Sequence, residues 1–107
     1  DGPFAFVVDT GAGGTTIAKN LYEKLDLPLS DMMVKAVGIH GAQETRIAII
    51  DKLTVSSNTY ENINAVIIDE SIIGPKGKLI ENGILGFNIF KNRELIVDYL
   101  NQTCAIV

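Results

Sequence analysis

The chain has 107 residues, of which 47% are apolar, and a net charge of −4. This length suits one compact domain, and the apolar fraction allows a core to form without disulfides or a metal. Acidic and basic residues are interspersed, which argues against a nucleic-acid partner and against a polybasic membrane-surface segment. The apolar runs are too short for a membrane-spanning helix, so we also expect no membrane insertion of this domain. Cys104 is the single cysteine, so no internal disulfide can form and the cellular compartment stays open.

The start of the chain predicts a strand that runs into a glycine-rich turn. Residues 4–8 are wholly apolar and β-prone, which is typical of a strand buried on both faces. Residues 9–14, Asp-Thr-Gly-Ala-Gly-Gly, follow, and three glycines permit a tight backbone there. Asp1-Gly2 is a favoured hairpin turn that lacks an upstream strand. We therefore expect residues 1–107 to be a single domain excised from, or truncated within, a longer protein.

The later elements are a helix and a series of short strands. Residues 16–25 predict a helix with Ile17, Leu21 and Leu25 on one face. A connector at 26–30 follows, and residues 33–50 predict a hairpin around glycines 38 and 41. The remaining predicted elements are strands at 53–55 and 63–69, a polar turn at 56–62 between them, a strand at 83–86, helical turns at 88–92 and a hairpin at 94–107. Roughly seven or eight short strands with little helix indicate an all-β domain.

A strand, a glycine-rich turn and a helix could also form a phosphate-binding loop. A P-loop needs a lysine directly after its last glycine, but Gly14 is followed by Thr15 and Thr16. The dinucleotide fingerprint needs a glycine or alanine where Thr16 stands. Both motifs require parallel βαβ units, whereas the rest of this chain predicts hairpins. The sequence therefore disfavours nucleotide binding.

The carboxylate of Asp9 has two interpretations when its tripeptide is considered alone. An apolar strand that delivers a carboxylate onto a tight turn places a charged group where its desolvation is costly, which favours a chemical role. An aspartate at a strand end also commonly caps the turn that follows it. The tripeptide by itself does not decide between a catalytic acid and a turn cap.

Four features in order decide the matter by resemblance. They are the Val-Val-Asp-Thr-Gly-Ala run at 7–12, the glycine-bracketed hairpin at 37–41, Gly-Ile-Leu-Gly at 83–86 with a short helix after it, and the closing Ile-Val-Asp-Tyr hairpin at 96–99. Over nearly its whole length the chain resembles the retropepsin-like aspartic proteases, the single-lobe relatives of the pepsin fold. The resemblance implies a closed-barrel-like all-β fold with one helix after the catalytic turn and a short C-terminal helix.

The resemblance also implies a mechanism and a partner. Asp9, Thr10 and Gly11 would be the catalytic residues of an aspartic endopeptidase that works without a metal or another cofactor. Two carboxylates that share one proton would activate water, and the second Asp9 would come from an identical subunit. A second lobe in a longer chain is the other possible source. The Thr10 hydroxyl would bond across the dimer, and the Gly11 backbone would approach the carboxylates and the substrate.

The substrate would be a peptide or protein that lies extended between a flap and the floor of the cleft. Residues 38–41 would form the flap tip, and Leu85-Gly86 would pack under the catalytic turn. The residues implied to contact substrate are Ala12, Val37, Gly38, Ile39, His40, Gly41 and Ile84.

Two departures from the retroviral pattern place the chain nearer the cellular or bacterial group. Gly13-Gly14 stand where many retroviral members carry acidic residues that bind the substrate backbone. Phe87 stands where an arginine often braces the dimer. An alternative function therefore stays open, namely a catalytically inactive retropepsin-fold module for dimerisation or peptide binding.

Three other residues, His40, Cys104 and Asp98, have side chains capable of chemistry, but their positions favour structural or solvent-exposed roles. His40 and Cys104 could be imagined as a cysteine-protease pair, but Cys104 lies in an apolar strand where a buried, inert thiol is expected. Asp98 is the only rival carboxylate, and we interpret it as structural. One histidine and one cysteine give no metal-ligand spacing.

Overall fold

The computed structural model describes residues 3–38, 41–55, 57–69 and 82–106. Within these residues the protein is mostly β with two short helices, which confirms the predicted all-β fold class. The strands and helices, in chain order, are β1 (Phe6–Val8), β2 (Thr15–Ala18), α1 (Lys19–Leu25), β3 (Leu29–Gly38), β4 (Gly41–Val55), β5 (Asn58–Ile68), β6 (Gly83–Leu85), α2 (Phe87–Phe90), β7 (Leu95–Asp98) and β8 (Thr103–Ile106).

Six of the strands form one mixed sheet, and the last two form a separate hairpin. The order in the sheet is β1-β6-β2-β5-β4-β3. The β1–β6 and β2–β5 pairs are parallel, so the expectation that the chain after the first turn contains only hairpins was wrong. Among the described residues β1 and β3 lie at opposite ends of the sheet, so its closure into a barrel stays a prediction.

The predicted helix at 16–25 begins later than expected, because residues 15–18 form strand β2. Thr15, Thr16 and Ile17 are β-branched, and β2 pairs with β5 on one side and with β6 on the other. These two strand pairings supply hydrogen bonds to the backbone N–H and C=O groups of a segment whose apolar spacing alone favoured a helix. Helix α1 therefore starts at Lys19, and it ends at Asp26, whose left-handed backbone has φ 49°.

The central strands are longer than their sequence signals. β3 starts at Leu29, within the predicted connector, and a register shift separates Leu29 from Met33. β4 is one continuous strand of 15 residues where two were predicted. β5 starts at Asn58, inside the predicted polar turn. Most polar residues of these segments are exposed along hairpins whose backbone is largely paired, so polarity alone could not separate strand from turn.

The buried apolar residues that the structure describes form two core clusters. The larger one joins β2, α1, β4 and β5 through Ile17, Leu21, Ala48, Ile50, Ala65 and Ile67. The smaller one joins β6 and α2 through Leu85, Ile89 and Phe90, against which the terminal hairpin packs Leu95 and Ile106. Full burial of an aliphatic side chain stabilises the fold by about 1.5–3 kcal/mol, so these clusters hold β6 and α2 in place.

Two burial predictions were wrong. Val7 and Val8 of β1 are 36% and 39% exposed, although the apolar run had predicted burial on both faces. β1 is an end strand whose neighbour is β6, and within the part of the chain that the structure describes no other strand pairs with its outer side. Cys104 is exposed rather than buried, because it lies on the thin β7–β8 hairpin.

Candidate active site

Asp9 lies at the carboxyl end of β1, at the surface. Its N–H donates to the Leu85 carbonyl oxygen at 3.1 Å and so extends the parallel β1–β6 pairing by one residue. Its Oδ1 accepts the Gly11 N–H at 2.9 Å, and its own carbonyl accepts the Ala12 N–H at 3.2 Å. The carboxylate is therefore exposed to solvent but oriented by the backbone of its own turn.

The hydrogen bond from Gly11 is the contact that the turn-cap interpretation predicts. It engages Oδ1 of Asp9 and is compatible with a chemical role for the carboxylate. The structure thus shows that capping and presentation to solvent are two consequences of the same turn.

The corner between β6 and α2 supports the turn from below. The Phe87 N–H donates to the Ala12 carbonyl oxygen at 2.8 Å, and the Gly86 N–H donates to Thr15 Oγ1 at 3.3 Å. The backbone of Gly86 lies directly against that of Gly14. Leu85 is buried beneath, so the predicted packing of Leu85-Gly86 under the turn is present.

The other residues of the predicted catalytic turn have less constrained surroundings. Thr10 is exposed, which leaves its hydroxyl accessible to a partner. A Cβ built on Gly11 would lie 3.4 Å from Asp9 Oδ1, an ordinary contact. This chain's own packing therefore does not require glycine at position 11, and the predicted requirement depends on what approaches from outside. A Cβ on Gly13 or Gly14 would meet no atom of the described residues within 4 Å, so this part of the structure leaves the space beside the turn open.

The predicted substrate-contacting residues come from two ends of the sheet. Ala12 and Ile84 are half-buried beside the turn, where Ile84 pairs with Val7 of β1. Val37 and Gly38 lie at the end of the β3–β4 hairpin, in register with Ala42 and Gly41. Val37 is 77% exposed, which suits a surface that closes over a ligand. Ile39 and His40 lie outside the described residues.

Asp98, the rival carboxylate, holds a turn. Its Oδ1 accepts the N–H groups of Leu100 and Asn101, and its Oδ2 accepts the Asn101 side-chain amide at 2.8 Å. These hydrogen bonds, that from the Asn101 side chain first, lower the pKa of Asp98 below its ordinary value. All of these contacts lie within the β7–β8 turn, which agrees with the structural interpretation.

Two polar residues that support the site, Thr15 and Asn88, were missed from the sequence. Thr15 is 1% exposed and donates to Asn88 Oδ1 at 2.6 Å. An available signal was the single polar residue in the otherwise apolar Phe-Asn-Ile-Phe of α2. Its partner could not be found from sequence, because 73 residues separate the two.

The described residues contain no group of three histidine, cysteine, aspartate or glutamate side chains that could hold a metal ion. In the same part of the chain, no helix has the length and apolar character needed to cross a membrane.

The turn, its support and the sheet define a class of protein, namely an all-β domain that presents a backbone-held carboxylate at its surface. A family model described as aspartyl protease matches residues 1–89, and the chain belongs to that family. Comparisons with curated proteins and with solved structures gave no match. The resemblance inferred from the ordered motifs is thereby confirmed, and the protein is a protease of the aspartic class.

Proposed function

We propose that the chain is an aspartic endopeptidase in which two Asp9 carboxylates, one from each of two identical copies, activate water to hydrolyse a peptide bond. The observation that carries the proposal is the Asp9 turn, which presents an exposed carboxylate with its Oδ1 fixed by Gly11. One such turn is present in the sequence, so the chain supplies half of a pair.

The chemistry follows from holding two carboxylates about 3 Å apart, where they share one proton because both cannot be charged. The ionised carboxylate takes a proton from water as the water oxygen bonds to the scissile carbonyl carbon, and the protonated one polarises the carbonyl oxygen. A proton is then returned to the nitrogen as the C–N bond breaks. The pair titrates as a unit, and we expect maximal activity on the acidic side of neutral.

Exposed apolar side chains support self-association. Those on β1, on α2 and on the terminal hairpin are Val7, Val8, Phe87, Ile96, Val97, Tyr99 and Leu100, and four others, Leu29, Met32, Met33 and Val37, lie on β3. A two-stranded hairpin is marginally stable when isolated, and β7–β8 has one face packed on the smaller core cluster. A second copy that covers its outer face would bury apolar surface and bring a second Asp9 to the first.

The cleft of the proposed enzyme would hold an extended peptide between the Asp9 turn and the tip of the β3–β4 hairpin. Ala12 and Ile84 would form its floor, and Val37 with residues 38–41 would close over it. Open space beside Gly13 and Gly14 leaves room for the substrate or its side chains. Thr10, exposed at the turn, would bond to the partner copy.

The proposal is tested with Asp9→Asn, which keeps the Oδ1 acceptor for Gly11 but removes the charge. Wild type is incubated with a peptide library between about pH 4 and about pH 6, and the products are identified by mass spectrometry. We expect wild type and the matched control Asp51→Asn, an exposed carboxylate of β4, to cleave, and Asp9→Asn to be inactive with an unchanged circular dichroism spectrum.

The molecular mass in solution is measured in parallel by sedimentation. A wild-type dimer that cleaves nothing would overturn the peptidase proposal and favour a binding or dimerisation module with the same fold. Cleavage that survives in Asp9→Asn would show that another group is catalytic.

A further inference from the structure

We infer that Thr15 and Asn88 are positioning residues for the Asp9 turn, a role that rests on the proposed function of Asp9. Neither side chain is hydrogen-bonded to the Asp9 carboxylate in the part of the chain that the structure describes. Thr15 is the first residue after the turn, and Asn88 lies in α2 on the far side of Gly86. Together they join the turn to the two elements that support it.

The two side chains form a continuous hydrogen-bonded path. The Thr15 hydroxyl donates to Asn88 Oδ1 at 2.6 Å and accepts the Gly86 N–H at 3.3 Å. The Asn88 amide in turn donates to the Asn64 carbonyl oxygen of β5 at 3.3 Å. The path therefore ties β2, the β6–α2 corner and β5 to one another, and Thr15 lies at its most buried point, with 1% of its surface exposed.

This path fixes the end of the turn, and a separate contact fixes its beginning. At the beginning, the Asp9 N–H is bonded to the Leu85 carbonyl oxygen. At the end, Thr15 holds Gly86, and the neighbouring Phe87 N–H holds the Ala12 carbonyl oxygen. Both ends of the turn are thus hydrogen-bonded to residues of the β6–α2 corner. The position of the Asp9 carboxylate therefore depends on the position of that corner.

Loss of the Thr15 hydroxyl would affect both of its partners. The buried Gly86 N–H would lose its acceptor, and an unsatisfied buried group favours a shift of the backbone that carries it. Oδ1 of the exposed Asn88 would lose its donor but can bond to water. A displacement of about 1 Å in a reacting group can reduce a rate on the order of a hundredfold. In a pair built from two copies the displacement occurs twice, so the separation of the two carboxylates is doubly sensitive.

The test compares Thr15→Val, which keeps the shape and removes the hydroxyl, with Thr15→Ser, which restores it. Ile50→Val, a core change in β4, is the control for a general loss of stability. We expect Thr15→Val to lower kcat by roughly tenfold to a hundredfold with KM unchanged. The two apparent pKa values of its pH–activity profile should move toward each other, because carboxylates held further apart repel less. Thr15→Ser and Ile50→Val should keep the wild-type profile.

A second measurement does not depend on activity and includes a variant of the exposed partner, Asn88, in case Thr15→Val does not fold. Amide hydrogen exchange is followed in wild type, Thr15→Val and Asn88→Ala. We expect faster exchange at Asp9, Gly86 and Phe87 in both variants, and unchanged exchange in the paired centres of β4 and β5.

The two measurements separate this inference from the proposed function. If wild type cleaves nothing but exchange at the turn accelerates in the variants, the proposed function fails while the positioning of the turn stands. If Thr15→Val and Asn88→Ala leave exchange at the turn unchanged, or lower activity only as Ile50→Val does with an unshifted pH profile, the inference is overturned.

Discussion

The backbone of Gly86 lies so close to that of Gly14 that a Cβ on Gly86 would overlap the Gly14 carbonyl group. Gly14 closes the turn that begins at Asp9, and Gly86 opens helix α2 as its N-cap residue. Contact between two backbones, with no side chain between them, brings the Phe87 N–H within 2.8 Å of the Ala12 carbonyl oxygen. The support of the turn is therefore a direct contact between main chains.

Gly86→Ala is expected to displace the turn. Its Cβ would meet backbone atoms of Gly14, which cannot move aside as a flexible side chain can. We expect the free energy of unfolding to fall by about 1–3 kcal/mol, as in overpacked cores, and peptidase activity to be lost. Urea denaturation and a peptide-cleavage assay measure the two effects. Gly13→Ala is the matched control: its Cβ would enter open space, and its stability should stay within about 0.5 kcal/mol of wild type. Equal losses in the two variants would contradict the role of the backbone contact.

Tyr60→Phe is expected to be neutral or stabilising by up to about 1 kcal/mol. The Tyr60 hydroxyl is buried and has no hydrogen-bond partner among the residues that the structure describes, so its removal relieves a desolvated polar group. The ring itself stays, and with it the Arg93 guanidinium, which lies 5.2 Å from the ring centroid. Thermal unfolding compares this variant with Tyr99→Phe. Tyr99 is 88% exposed, so the loss of its hydroxyl should leave the stability unchanged. A clear loss of stability in Tyr60→Phe alone would show that the hydroxyl has a partner.

Asp98 is expected to make stability depend on pH in the acidic range. Its pKa is lowered in the folded state by hydrogen bonds, first that from the Asn101 side chain. Its stabilising contribution is therefore complete above the unfolded pKa, near about 3.9, and is lost as the pH falls through the lower folded value. In Asp98→Asn a neutral Oδ1 still accepts the Leu100 and Asn101 N–H groups at every pH, and the bond from the Asn101 side-chain amide to Oδ2 is lost. Wild type should therefore be the more stable at about pH 6, and the difference should shrink toward about pH 2. Urea titrations at several pH values test this, and a constant difference would refute it.

Ile96→Asp is expected to weaken self-association. Ile96 is 49% exposed on the outer face of the β7–β8 hairpin, paired with Ala105, where we propose that a second copy binds. A charge buried at that interface should raise the dimer Kd at least about tenfold and lower activity at dilute protein concentration. Met32→Asp, at a 63% exposed apolar position on β3, is the control that should not change Kd. Sedimentation over a concentration series measures both, and identical Kd values for the two variants would place the interface elsewhere.

Much of the fold could be predicted from local patterns. The turn at 9–14, the strand before Gly86, the short helix after it and the closing hairpin all have signals that lie within a few residues of one another. The β3–β4 hairpin was predicted from glycines 38 and 41, and these two residues are in register. The prediction of a helix from residue 16 was wrong, because residues 15–18 form strand β2. The strands that pair with β2 lie far along the chain, at residues 65–68 and 83–84. Spacing along the chain cannot report pairing over such a distance.

The candidate site, like the fold, has features that the sequence predicts and features that only the tertiary structure reveals. The sequence by itself determined that Asp9 follows an apolar strand on a glycine-rich turn, and the order of the motifs determined the aspartyl protease family. Only the tertiary structure decided that Gly86 rests on Gly14 and that Thr15 bonds to Asn88, since a contact across more than seventy residues is fixed by how strands pair and not by any local preference. Only the tertiary structure decided, too, that β1 leaves Val7 and Val8 partly exposed, because burial depends on which elements cover a strand.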